Sequence, residues 1–143
     1  MEAGPSKLAK TMILTGEKVN VKTSIKNIES FLTDAKNIEH LLPKDKISSF
    51  QADESSCSFK VQGGITISLV QDGVDGEKIF LRSGDKSPFP FKLTIHLKQI
   101  EGEITEGYIE FDGEVNAFLN MMVEKPLMSL FNYLSHKLST HFS

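Results

Sequence analysis

Between residues 46 and 115 apolar and polar residues take turns, whereas after residue 116 the apolar ones recur every three or four positions. The first period belongs to strands with one buried face and the second to a helix with one buried stripe. Cys57, Phe59 and Val61 alternate with Ser58, Lys60 and Gln62, and Ile65, Ile67 and Leu69 with Thr66 and Ser68; Ile79 and Leu81 follow the same rule against Lys78 and Arg82. Gly63-Gly64 and the stretch Asp72-Gly73-Val74-Asp75-Gly76 supply turn residues, so consecutive antiparallel hairpins are the simplest connection. Ser87-Pro88-Phe89-Pro90 reads as a proline-stiffened link. The last two strands flank a turn at Glu101-Gly102-Glu103. If Ile100 pairs with Ile104, Leu93 falls opposite Phe111 and Ile95 opposite Ile109 on one face. Lys92 then falls opposite Asp112 and Lys98 opposite Glu106 on the other. Burial and charge agree in that one register, which is stronger evidence than either strand alone.

Ahead of the hairpins, Thr11 to Val21 carries Met12, Ile13, Leu14, Val19 and Val21, which predicts a first strand with Gly16 as a bend or bulge. Thr23 or Ser24 then caps a short helix whose buried face is Ile25, Ile28, Phe31 and Leu32, and Asp34 caps a second with Ile38, Leu41 and Leu42 inward before Pro43 ends it. In the closing helix Leu119, Val123, Leu127, Leu130, Phe131, Leu134 and Leu138 make one stripe. Phe118, Met121, Met122 and Met128 fall outside it, so the first half of the helix is apolar around most of its circumference. That surplus predicts either the wall of a cavity, to which unbranched Met side chains adapt, or an exposed patch for a partner or membrane surface.

The order β-α-α-β-β-β-β-β-β-α describes one α+β domain over residues 11–143, with residues 1–10 set aside as a flexible arm or cloning remnant. At 143 residues such a domain buries roughly two-thirds of its unfolded surface and needs no metal or disulfide to hold it. The single cysteine, with no secretory leader in view, fits a reducing cytoplasm. No apolar run reaches the ~18 residues of a membrane span. A net charge of -3 without basic blocks argues against nucleic acid as a partner.

Candidate chemistry is sparse. His40, His96, His136 and His141 are scattered, so neither a metal nor another cofactor is expected. Cys57 alternates in phase with Phe59 and Val61, the placement of an inert core thiol. Glu106, Glu110, Asp112 and Glu114 share the wet strand face with Lys92 and Lys98 across from them, which reads as a solvated ladder rather than a reactive pair. What remains is apolar: Phe91, Leu93, Ile95, Ile109 and Phe111 from the sheet, with Phe118, Met121, Met122, Met128 and Phe131 from the helix. A filled core accounts for these as readily as a binding cavity does.

Ile28-Glu29-Ser30-Phe31-Leu32-Thr33-Asp34, then Asn37-Ile38 and Leu41-Leu42-Pro43, resemble the opening of the START-like, polyketide-cyclase-like (SRPBCC) superfamily, and the element order resembles it from about residue 11 to the end. Lys86-Ser87-Pro88-Phe89 and Val123-Glu124-Lys125-Pro126-Leu127 look like a bacterial branch of it without an assigned function. The resemblance implies a helix-grip fold: a curved antiparallel sheet wrapped around the long C-terminal helix, with a cavity between them for a small apolar molecule such as a lipid, sterol, polyketide or quinone. Carried over by position, Phe91, Leu93, Ile95, Ile109, Phe111, Met122, Leu127 and Phe131 would line it, and Met128 with Phe118 extends the ligand-binding set. Some members are enzymes with ionisable groups inside, but the inward positions here carry none, which argues against a cyclase or dehydrase. Self-association and weak membrane contact stay open.

Overall fold

The computed structural model describes residues 9–62 and 64–143, so most of the N-terminal arm and Gly63 lie outside the described residues. Eight strands form one antiparallel sheet: β1 (Ala9–Thr15), β2 (Val19–Val21), β3 (Ile47–Ala52), β4 (Ser56–Val61), β5 (Ile65–Asp75), β6 (Lys78–Ser83), β7 (Phe91–Glu101) and β8 (Ile104–Asn116). Their order is β1-β8-β7-β6-β5-β4-β3, with β2 also on β8. Helix α1 (Ile25–Leu32) and a 3-10 helix (Ala35–Leu41) connect β2 to β3, and the long helix α2 (Ala117–His141) closes the chain. The curved sheet and terminal helix make the helix-grip architecture.

The strands form because each alternates apolar and polar residues, and the buried set collects on one face. Met12, Leu14, Phe59, Leu69, Leu81, Leu93, Ile95, Phe111 and Val115 meet Val123, Leu127, Leu130, Phe131 and Leu138 of α2 there. Sheet and helix are both one-sided, so each covers the face the other cannot leave in water. The expected pairs of the last hairpin are present: Lys92 with Asp112, Leu93 with Phe111, Ile95 with Ile109 and Lys98 with Glu106.

Ser24 and Asp34 cap the short helices as expected, and Asn116, which the residue pattern alone does not single out, caps α2. Ser24 Oγ accepts from Asn27 N at 3.2 Å, Asp34 Oδ1 from Lys36 N at 3.1 Å, and Asn116 Oδ1 from Leu119 N at 2.9 Å. Thr105 Oγ1, fully buried on β8, donates to Thr23 O at 2.7 Å and fixes the start of α1 against the sheet. Gln71 Nε2 donates to Leu32 O at 2.8 Å and holds its end.

Four local details depart from the expected pattern. The first strand is two, because the chain turns at Gly16, whose N–H still reaches Ile109 O at 2.8 Å, before β2 returns to β8. The second short helix is of the tighter 3-10 kind. Ile100 does not pair with Ile104; Glu101 does, and Ile100 bulges outward. The stretch from Asp72 to Asp75 is strand rather than turn, interrupted by a bulge after Gln71, and the chain reverses at Gly76 and Glu77 instead. Periodicity cannot register a one-residue bulge, since the alternation resumes on either side of it. Strand β3 carries another such irregularity between Ser48 and Gln51, with Ser49 at φ 56°.

Candidate functional site

The sheet and α2 enclose a cavity of about 50 Å³. Leu93, Ile95 and Leu97 of β7 and Ile109 of β8 form one wall; Leu134, Ser135 and Leu138 of α2 form the second; Leu32, Ile38 and Leu41 from the short helices close the third. Such a volume is far below the roughly 300 Å³ at which pockets for drug-sized molecules begin. Two inward positions in its lining lack bulk, although Leu97 Cδ2 already covers the first, 3.2 Å from where a Cβ would stand. Gly107 holds an inward place on β8 between Thr105 and Ile109, and Ser135 holds one on the buried stripe of α2, between Phe131 and Leu138. A small residue at an inward position of an otherwise full stripe is the sequence signal for this cavity.

The ten residues expected to surround a ligand separate into three groups. Leu93, Ile95 and Ile109 line the cavity. Phe91, Phe111, Leu127 and Phe131 are buried beside it in a solid region. There the Phe111 ring stacks on Phe91 at 5.2 Å between centroids and lies 5.6 Å from Phe131, with Phe89 6.3 Å away on an edge. Phe89, read from sequence only as part of a link, completes this aromatic cluster. Phe118 and Met122 are the corrections: they are 71% and 52% exposed and do not reach the interior, while Met128 is half-buried against the core. Each helical residue advances 100° around the axis, so turning Leu119, Val123 and Leu127 toward the sheet swings the residues just before them outward. Met121, 85% exposed, lies further round still.

The cavity wall carries no ionisable side chain directed inward. Ser135 Oγ donates to Phe131 O at 3.0 Å and is satisfied. Tyr108 borders the cavity, but its ring stacks on His96 at 4.6 Å on the outer face, where His96 Nε2 meets Glu110 Oε1 at 2.8 Å. The acidic row of β8 thus faces away from the interior, with Lys92 and Lys98 opposite Asp112 and Glu106. Among the described residues no three His, Cys, Asp or Glu side chains converge on a metal site, and no helix is long and apolar enough to cross a membrane.

Cys57 is buried, and desolvation of the thiolate pushes its pKa up to about 12. Between the ordinary thiol value near 9.0 and about 12, the folded chain keeps a proton that the unfolded chain has released. Stability therefore falls as pH rises through that window, by at most about 1.4 kcal/mol per pH unit from this group. Urea unfolding at pH 9, 10 and 11 checks it: the Cys57→Ala variant should show a shallower decline than the parent.

Neither a protein-family model nor a curated protein matches the sequence. Solved structures do. A START superfamily protein from Mycobacterium smegmatis is 15% identical, with 91% of this chain and 96% of that one covered at a TM-score of 0.70. Norcoclaurine synthase from Thalictrum flavum, in complex with dopamine and hydroxybenzaldehyde, is 15% identical, covering 100% of this chain and 96% of its own at a TM-score of 0.64. A conserved protein from Geobacillus kaustophilus is 16% identical, covering 92% and 95% at 0.68.

Proposed function

With the helix-grip fold of START-like proteins as the premise, we propose that this chain binds a small hydrophobic molecule between its sheet and α2, without chemistry of its own. The observation that carries the reading is the composition of the cavity wall: mainly Leu and Ile, with the Ser135 hydroxyl satisfied by Phe131 O and the one bordering phenol, Tyr108, stacked on His96 at the outer face. A reaction would need a group free to donate, accept or stabilise charge, whereas apolar binding needs only hydrocarbon. The fold also accommodates small aromatic molecules in norcoclaurine synthase, as its complex with dopamine and hydroxybenzaldehyde records.

At about 50 Å³ the cavity is a seed that a guest must enlarge. Leu134 is only half-buried, and Leu32 and Leu138 sit on short or terminal segments, so this end of the wall is the one that yields. Burying about 200 Å² of ligand at ~25 cal/mol per Å² contributes roughly 5 kcal/mol, from which that rearrangement and the entropy of association are subtracted, leaving a loose affinity. The ligand class is that of lipids, sterol-like compounds, polyketides or quinones.

Titration with the uncharged fluorophore N-phenyl-1-naphthylamine tests the proposal. Ser135→Leu fills the cavity from the helix side and should reduce uptake at least tenfold, while Ser135→Ala retains it. Equal uptake by the parent and Ser135→Leu, with both folded by circular dichroism, would sink the assignment.

A further inference from the structure

A second concavity lies on the opposite flank of α2 and shares no lining residue with the interior cavity. It is a groove of about 530 Å³, some ten times larger, between α2 and the loop that leads from the 3-10 helix into β3. Its size is that of pockets that hold small organic molecules. Val61 and Leu130, both buried members of the core, form its floor, and Pro43 and Pro126 add apolar walls.

The rim has a different character. Lys46 stands on the loop side and Lys125 on the helix side, and neither forms an ion pair with a described carboxylate. Hydroxyls of Ser129 and Tyr133 add two further donors, against a single carboxylate at Asp45. Two ammonium groups and two hydroxyls around a hydrocarbon floor are complementary to a molecule with one anionic end and an apolar body.

The exposed residues that the interior did not absorb extend this surface. Positions 118, 122, 126, 129 and 133 succeed one another at four, four, three and four residues and therefore share one face of α2. Phe118, Met122 and Tyr133 on that face are 71%, 52% and 40% exposed. From Tyr133 to Phe118 the stripe runs fifteen residues, about 22 Å at 1.5 Å per residue, the reach of a long acyl chain. We infer that the groove binds a long-chain carboxylate, its head between Lys46 and Lys125 and its chain laid over Pro126 toward Met122 and Phe118. A concave seat flanked by two cations suits a single amphiphile better than a flat bilayer.

The fluorescent fatty acid cis-parinarate and its methyl ester, which differ only in the charged head, form the test. Lys46→Gln with Lys125→Gln should weaken parinarate at least tenfold and leave the ester unchanged; Met122→Gln should weaken both; Ser135→Leu should affect neither. Parinarate affinity unaltered in the double lysine variant would overturn the inference. So would loss of parinarate binding in Ser135→Leu, which would move the fatty acid into the interior cavity while leaving the proposal for that cavity intact. Co-sedimentation with phosphatidylglycerol vesicles that depends on Phe118, or a dimer in size-exclusion chromatography that Met122→Gln dissolves, would assign the stripe to a membrane or a second copy and overturn it equally.

Discussion

Replacing Phe111 with alanine should cost roughly 3–5 kcal/mol, the upper range for a buried aromatic truncation. The ring is fully buried and touches three others, stacking on Phe91, leaning on Phe131 and meeting the edge of Phe89. It joins the sheet to α2 at the centre of the solid region, and its removal leaves those three rings facing a void. For a domain of this size the melting temperature should fall by roughly 10–20 °C. Gly113 supplies an internal control. A Cβ at that position would lie 2.7 Å from Cε1 and Cζ of Phe111, so the ring rests over bare backbone. Gly113→Ala should therefore destabilise the parent and be neutral or better once Phe111 is alanine, and a double-mutant cycle by urea unfolding reads that coupling. Additive effects would mean that the ring does not pack on Gly113.

Leu93→Ala should act on the cavity itself. Leu93 is buried, pairs with Phe111 across the hairpin and lines the existing space, so its truncation adds to a void that is already present. The expected loss is roughly 2–5 kcal/mol from the transfer and cavity contributions together. The enlarged space is lined by Leu and Ile, stays dry and approaches the ~150 Å³ at which a hydrocarbon cavity takes up benzene. Benzene or indole should then raise the melting temperature of Leu93→Ala, since a ligand that binds only the folded state stabilises it by mass action. Calorimetry with and without indole measures this. A variant equally unstable with and without the solute would show that the wall collapses instead of holding a guest.

Most of the architecture could be read from the chain because it depends on period and sign. The register of β7 and β8 is overdetermined: a one-residue slip would expose Leu93 and Phe111 and bury Lys92 and Asp112 together. The location of free space could not be read in the same way. It depends on volume, and Phe111 with the three phenylalanines around it occupies the region that pattern alone assigned to a ligand. The cavity lies further along α2, where Ser135 stands among residues that looked like ordinary core. Phe118 and Met122 misled for a related reason. Hydrophobicity marks a residue as apolar without saying whether the helix turns it toward the sheet, and the stripe through Val123 and Leu127 had already decided that.

The irregular path of β3 has a consequence for how these molecules behave in a crowd. As the last strand in the sheet order it presents amides and carbonyls to any extended chain that drifts near. The break in pairing after Ser48, the left-handed backbone at Ser49 and the exposed Ser48, Ser49 and Gln51 make a poor template for another strand. A margin kinked and polar in this way is a poor seat for a second strand, so this edge of the sheet discourages fibril-like stacking.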